Sequence, residues 1–342
     1  MLGFRVVAKV LNILLWLLIA AGLLAPWLPA RHWAWLALIP AALPVIFGLS
    51  ALFAVAFRKK RNPWLYGNLI ALVLLLFPLS KDVAFHRQPA PTSADVRVLS
   101  LNVQRMNNDT AHAKGILDLV QSREADVVCF QEFGLYHQWP DAAALTRYFR
   151  HALQLPHAHF GHHRHNIFGV ALFSRYPIAR VDTIYLPISE NNAALLYTLE
   201  HPDTPLHVLV FHLASFNLGG SAPRTLTERL AIPAKTFAAQ EQQLQLLVDR
   251  IRAVHGPLLV VGDLNNVPHS YAYRQLDAWL TDSFREAGTG WGYTYADPAL
   301  PLRIDYQWYS GPIRATAHKV VSHPYSDHRL LEVDFALSTT GS

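Results

Sequence analysis

The sequence predicts an α/β protein in two parts: a four-layer α/β sandwich, with two mixed β-sheets flanked by helices, preceded by a bundle of about three transmembrane helices. Three observations lead there. Hydrophobic residues make up 52% of the 342 residues and charged residues only 15%, which is apolar for a wholly soluble chain. The excess concentrates before residue 90 in three long apolar runs. After residue 95 the pattern changes to short apolar strands, some close enough for hairpins, mixed with amphipathic helices, as expected when two sheets pack together beneath helices.

The three runs are Val6–Pro29, Trp33–Phe57 and Trp64–Ser80. Each approaches the roughly 20 residues that a helix needs to cross a hydrocarbon core. Trp27, Trp33, Trp35 and Trp64 fall near the expected ends, where an aromatic belt belongs. A cleaved signal peptide is the competing reading of the first run, since Arg5 and Lys9 open it and Ala20, Ala21, Gly22 and Ala25 supply small residues after it. Two further spans follow, and the apolar run continues past those small residues, which favours a retained helix.

Residues 1–89 carry nine Lys/Arg and one acid, a net +8, so residues 90–342 hold 20 bases against 23 acids, a net −3. The basic pI of 9.3 is therefore a property of the first 89 residues and gives no reason to expect nucleic acid as partner. The densest basic cluster, Arg58-Lys-Lys-Arg61, lies between the second and third runs, whereas the first loop offers only Arg31 and His32. Basic loops stay in the cytoplasm. Three spans then place the N-terminus inside and everything after residue 90 outside, which in a bacterium is the periplasmic side of the inner membrane.

Domain boundaries follow: an anchor over residues 1–89, a Pro/Ser/Ala linker at 90–94 and a catalytic domain over 95–338. Strands are expected at about 96–103, 127–131, 170–174, 195–200, 207–212, 258–262, 304–309, 315–321 and 330–335, with helices at about 110–123, 141–149, 231–254 and 270–278. No repeat, heptad run, Gly-x-Gly-x-x-Gly or phosphate loop occurs. The single cysteine, Cys129, sits in the apolar run Asp126-Val-Val-Cys-Phe130 and reads as a small core residue; one thiol permits neither an intramolecular disulfide nor a multi-thiolate metal site.

Polar residues gather where the strands end. Val98-Leu-Ser-Leu-Asn102 closes in Asn, Val127-Val-Cys-Phe-Gln-Glu132 in Glu, Leu209-Val-Phe-His212 in His and Leu259-Val-Val-Gly-Asp263-Leu-Asn265 in Asp and Asn, while Ser326-Asp327-His328 precedes the last strand. One such residue is an ordinary turn former. Five sites on separate strands converge on one edge of a sheet.

In order and spacing this series resembles the endonuclease/exonuclease/phosphatase superfamily over about residues 95–337. Gly169-Val-Ala-Leu-Phe-Ser-Arg-Tyr-Pro-Ile178 and Arg303-Ile-Asp-Tyr306 support the match. The resemblance implies a metal-dependent hydrolase of phosphate esters. It implies Glu132 as metal ligand with Asn102 and Asp327 near it, and His328 as general base for water, its tautomer held by Asp305. It further implies that Asp263 orients the nucleophile or assists the leaving group, that Asn265 donates to the phosphate, and that His212 binds or protonates a phosphoryl oxygen. Phosphoester hydrolysis needs a cation to offset phosphoryl charge and an activated in-line water, and carboxylate ligands suit Mg²⁺ or Mn²⁺. Two departures stand out: Val210-Phe211-His212 where the family has Asn-Thr-His, and Gln307 where an aliphatic follows Arg303-Ile-Asp-Tyr306.

His151, His157, His159, His162, His163 and His165 are close enough for a zinc site, but no acid or Cys lies among them and the stretch reads as a solvated loop. The expected partners are a phosphoester substrate, as a lipid headgroup or nucleic acid, and the bilayer itself; nothing singles out a protein partner. The leading function is a phosphodiesterase at the membrane surface. An extracytoplasmic nuclease needs a positive groove, against which the net −3 counts. A catalytically inactive binding module is the alternative from another class.

Overall fold

The protein is seen in a computed structural model that describes residues 2–59, 62–86, 94–134, 141–162, 168–187, 192–216, 225–297 and 301–338. Lys60, Arg61, most of the 90–94 linker, His163 and His165 lie outside the described residues.

The chain opens with α1 (Leu2–Leu24), α2 (Leu43–Ala56) and α3 (Pro63–Leu79), joined into stretches of 22, 21 and 20 residues long and apolar enough to cross a membrane. Leu15, Ile19, Leu43, Ile46, Ala71 and Leu75 pack at their centre, while Leu17, Leu52, Val73 and Leu74 face outward. A helix apolar all round is suited to lipid. Trp16 stacks on Trp64 and Lys9 lies over the Trp64 ring, so the start of α1 and the start of α3 share one end of the bundle.

Then come β1 (Val83–Phe85), β2 (Val96–Asn102), α4 (Thr110–Gln121), β3 (Val127–Gly134), α5 (Ala142–Leu153), β4 (His157–His162), β5 (Phe168–Ser174), β6 (Ile178–Ile184), β7 (Ala193–Leu199) and β8 (Leu206–His212). They are followed by α6 (Leu226–Ala253), β9 (Leu258–Asp263), α7 (Tyr271–Asp277), β10 (Thr281–Asp282), α8 (Ser283–Ala287), β11 (Thr289–Trp291), β12 (Asp305–Ser310), β13 (Ile313–Val321) and β14 (Leu330–Leu337). Among the described residues two six-stranded mixed sheets form, in the orders β13-β14-β2-β3-β5-β4 and β10-β12-β9-β8-β7-β6; β1 and β11 make a separate two-stranded ribbon. The expected sandwich of two mixed sheets is thus present.

Alternation along the strands builds the layers. Val96, Val98, Cys129, Leu195, Val208, Val210, Leu259, Val261 and Val333 fill the space between the sheets. The opposite face of the first sheet packs Leu99, Leu101, Phe130 and Phe173 against Ile116 and Leu117 of α4 and Phe149 of α5. The outer face of the second packs Phe211, Val260 and Trp308 against Leu244 and Leu247 of α6 and Tyr273 of α7. Cys129 is fully buried and its thiol is pushed far above its ordinary value by burial alone, as befits a core residue.

Several local expectations are corrected. The histidine-rich stretch is not a loop throughout: residues 157–162 form β4, paired edge-on with β5, and His159 meets the Tyr197 hydroxyl at 3.2 Å through Nδ1. Helix α6 begins at Leu226 rather than residue 231, because Thr225 and Glu228 make a capping box whose helix runs through Pro233. β6, an edge strand, carries no clean period-2 pattern and escaped detection.

The helical bundle is docked on the sandwich. Arg31 donates its backbone N–H to Glu241 of α6 at 2.9 Å and pairs with it through Nε; Arg274 of α7 lies over the Trp27 ring; His269 Nε2 meets the Pro40 carbonyl at 2.7 Å. Ala30 and Ala34 pack on Phe237. Val83–Phe85, separated from α3 by the single turn Ser80–Asp82, pairs antiparallel with Trp291–Thr289.

Candidate active site

The same alternation that buries the core also delivers the polar ends. On β8 the inward residues are Leu206, Val208 and Val210, and the next is His212; on β9 Leu259 and Val261 lead to Asp263; on β2 Val96, Val98 and Ser100 lead to Asn102. Register then lines them up. His212 pairs with Asp263 across the parallel β8–β9 ladder, and Asp305 of β12 pairs with Asp263 from the other side. Gly262 allows that close approach, since a Cβ there would stand 2.0 Å from the Phe211 carbonyl oxygen.

Glu132 reaches the same cleft by a different device. β3 pairs Phe130 with Ala171 but Phe133 with Gly169, so one extra residue is inserted, and Glu132 has φ +49°. The bulge keeps Phe130 and Phe133 on the helix-facing side, stacked 5.7 Å apart, and turns Glu132 out towards Asn102. Asn102 Nδ2 donates to Asp263 Oδ2 at 3.1 Å and to Glu132 Oε1 at 3.4 Å, bridging the two sheets.

Ser326-Asp327-His328 closes the cleft from the loop before β14. The Ser326 hydroxyl donates to the Asn102 carbonyl at 2.7 Å and accepts from the His328 backbone N–H. His328 Nδ1 lies 2.8 Å from Asp305 Oδ2, and its Nε2 faces Asp263 Oδ2 and Asp327 Oδ1, both at 3.9 Å. All eight residues read from the sequence therefore surround one cleft end. Asn265 stands apart in one respect: its amide is turned to the Leu213 carbonyl at 3.0 Å, and its backbone N–H, at φ +52°, holds Asp263 Oδ1 at 2.8 Å.

Five supporting residues were not anticipated. Thr294 Oγ1 accepts the backbone N–H groups of Ile304 and Asp305, and the Tyr295 ring packs edge-on against His328 at 5.5 Å. Gln104, Arg105 and Met106 form a left-handed turn with φ between +44° and +54°, a conformation costing non-glycine residues roughly 1–2 kcal/mol each. It presents Gln104 Nε2 to Asp327 Oδ2 at 3.1 Å and Arg105 Nε to Glu132 Oε2 at 3.6 Å. The fifth is Ser326, whose only sequence signal was its place before Asp327-His328. Gln307 also acquires a reason: its buried amide donates to the Val98 and Leu331 carbonyls of the opposite sheet, each at 3.3 Å, where an aliphatic residue could make no such link.

The electrostatics are those of a site with too much negative charge. Burial raises the Asp263 carboxyl to about 6, Asp305 adding to the rise and His328 and His212 opposing it. Burial also raises Asp327, with Glu132 contributing. Burial would lower His328, but Asp305, Asp263 and Asp327 outweigh it and hold the imidazole up at about 10. Among the described residues, buried His212 Nε2 and Asp305 Oδ1 have no hydrogen-bond partner. Unpaired buried polar atoms are costly unless something else meets them, and oxygen donors in excess suit a hard divalent cation. Donor atoms of Asp263, Asp305 and His328 lie within 4.8 Å of one another. His328 Nδ1 and Asp305 Oδ2 are engaged with each other, Asn102 Oδ1 accepts the Gln104 backbone N–H at 3.0 Å, and the Glu132 oxygens meet Asn102 Nδ2 at 3.4 Å and Arg105 Nε at 3.6 Å, so an ion at Glu132 and Asn102 would share their oxygens with these donors.

A family model described as the endonuclease/exonuclease/phosphatase family matches residues 99–328. No curated protein matches. Among solved structures, an endonuclease/exonuclease/phosphatase from Beutenbergia cavernae is 21% identical with a TM-score of 0.53, covering 71% of this chain and 72% of its own. The human Nocturnin catalytic domain is 21% identical with a TM-score of 0.52, covering 71% and 94%. TDP2 from D. rerio complexed with a single-strand DNA product is 16% identical with a TM-score of 0.51, covering 70% and 98%. These likenesses are to the fold. With the family model spanning both ends of the cleft, from β2 to His328, this chain belongs to the endonuclease/exonuclease/phosphatase family and is a metal-dependent phosphoesterase.

Proposed function

We propose that the chain is a membrane-anchored phosphodiesterase that works on the outer side of a bacterial inner membrane. The observation that carries the chemical half is the hydrogen-bonded His328–Asp305 pair set beside Asp263 and facing Asn102 and Glu132 across the cleft. Glu132 and Asn102, with Asp327 beside them, would hold a Mg²⁺ or Mn²⁺, which would supply charge stabilisation for the phosphoryl oxygens. The protein supplies the rest. Asp305 accepts from Nδ1–H of His328, and once a bound cation offsets the Asp263 and Asp327 charge that holds the imidazole protonated, Nε2 is left to take the proton of the attacking water. Asp263, buried and pushed up to about 6, orients that water or hands a proton to the leaving oxygen. His212, whose Nε2 faces Glu132 Oε1 at 3.7 Å and Asp263 Oδ2 at 3.8 Å without a hydrogen bond among the described residues, meets a phosphoryl oxygen, and Asn265 offers its second amide hydrogen.

The anchoring half rests on the three apolar helices and on which segments meet the sandwich. The 25–42 loop and residues 80–85 both contact it, whereas Arg58 and Lys59 lie in the loop joining the other ends of α2 and α3. Basic residues on the far side are what a cytoplasmic loop requires. The division into an anchor over 1–89 and a catalytic domain over 95–338 is part of this proposal, supported by the confinement of the three candidate spans to residues 6–82.

A panel of phosphoesters tests the reading: bis-p-nitrophenyl phosphate, a p-nitrophenyl monoester, phospholipid diesters and DNA, offered to the detergent-solubilised full chain with Mg²⁺, Mn²⁺ or EDTA beside Glu132→Ala. Diester cleavage that EDTA and Glu132→Ala both abolish supports it. Cleavage confined to DNA establishes the nuclease instead, and no cleavage of any substrate leaves the inactive binding module.

A further inference from the structure

Among the described residues, the ribbon of β1 and β11 leaves an apolar face uncovered. In antiparallel pairing, residues directly opposite share a face, so Val83 with Trp291 and Phe85 with Thr289 lie on one side and Ala84 with Gly290 on the other. Ala84 is buried, but Phe85 is 90% exposed and Trp291 61% exposed, stacked on Tyr293 at 5.3 Å. An uncovered Phe–Trp face is costly in water. Its position in the chain says what covers it. Val83 is the first residue beyond the third candidate span, which ends at Asp82, and the Gly292 N–H is bonded to the Asp82 carbonyl at 2.9 Å. The face therefore begins where a membrane-crossing helix ends, at the depth where aromatic side chains settle. Trp27, Trp33 and Trp35, all exposed, belong to the other loop at the same end of the bundle.

From this ribbon the chain runs straight to the active site. Trp291 is followed by Thr294, which holds the backbone of Asp305, and by Tyr295, which packs on His328. Four residues of extended chain span at most about 13 Å. On the other flank α7, whose Arg274 covers Trp27, starts six residues after Asn265.

We propose, resting on the anchored-phosphodiesterase reading above, that the Val83/Phe85/Trp291 face lies in the bilayer interface and seats the sandwich on the outer leaflet, so that the catalytic cleft works at headgroup level on phosphoesters borne by lipids. The ribbon is the contact that fixes depth; the spans alone fix only attachment.

The test uses the full chain in phosphatidylethanolamine/phosphatidylglycerol vesicles, with an environment-sensitive fluorophore on single introduced cysteines; the native Cys129 is buried and does not compete. Labels go at Phe85→Cys, at Leu74→Cys on the outward face of α3, and at Arg180→Cys on the β6 edge of the second sheet, remote from the ribbon. The inference expects quenching by acyl-chain nitroxides at positions 74 and 85 and by an aqueous nickel complex at 180. A lipid signal at 74 with an aqueous signal at 85 overturns the ribbon contact and leaves the anchor standing. Aqueous signals at both overturn the anchor and the ribbon together. As a second readout, Phe85→Ser with Trp291→Ser lowers turnover of a vesicle-borne phospholipid diester by about tenfold, the factor given by about 1.4 kcal/mol, and leaves soluble bis-p-nitrophenyl phosphate unchanged. Equal rates on both substrates contradict a role in lipid presentation.

Discussion

Asp305 is the residue whose replacement separates chemistry from folding most cleanly. Its Oδ2 fixes the His328 ring while its backbone N–H is held by Thr294, so Asp305→Asn keeps the shape and removes the charge. General-base catalysis contributes about 10²–10⁴-fold, and kcat should fall within that range while the melting temperature and KM stay near those of the wild type. A comparable loss of thermal stability shows the pair to be structural. Asn102 and Glu132 were readable as strand ends, and Asp327-His328 as a short polar run before the last strand. Gln104 and Thr294 were not, because each acts through a contact that only the fold creates, Gln104 with a residue 223 positions away and Thr294 with the backbone 10 and 11 residues further on.

At the level of elements, the strands carrying the site were legible because their apolar runs are strong and each ends in a polar group. Their register was not, and register is what places His212, Asp263 and Asp305 in one row. The bulge that re-aims Glu132 leaves only a slight mark in hydropathy, Phe130 and Phe133 falling one position off regular alternation, and it takes the pairing with β5 to read that spacing as a bulge. In sequence β4 resembles a loop because histidine and glycine at 157–162 hide a strand that gains its hydrogen bonds from β5. Gly262 shows how tightly the row is drawn. A methyl there collides with backbone rather than a movable side chain, so Gly262→Ala should cost about 3 kcal/mol by overpacking and displace Asp263 with it. Denaturant unfolding and turnover check both; a variant as stable and active as the wild type contradicts the β8–β9 register.

The whole molecule combines a basic, apolar bundle with a slightly acidic sandwich, and its pH response is set by buried groups rather than by net charge. Burial pushes His318 down to about 3, Asp282 opposing and Arg303 adding to the shift; the ring meets Ser283 at 2.9 Å. A histidine with a depressed folded value takes up a proton on unfolding, so its contribution is complete above about 6.5 and is lost as pH falls towards 3. His318→Gln should therefore flatten the acid limb of stability against pH by about one proton, or about 1.4 kcal/mol per pH unit; an unchanged limb argues that His318 is hydrated. The most direct test of the central claim is the rate of bis-p-nitrophenyl phosphate hydrolysis by the full chain across a Mg²⁺ titration, for wild type and Glu132→Gln side by side. The account predicts wild-type activity that saturates with Mg²⁺ and disappears in EDTA, and a Glu132→Gln curve that is shifted to higher Mg²⁺ and greatly lowered. Hydrolysis that ignores both the ion and Glu132 would contradict it.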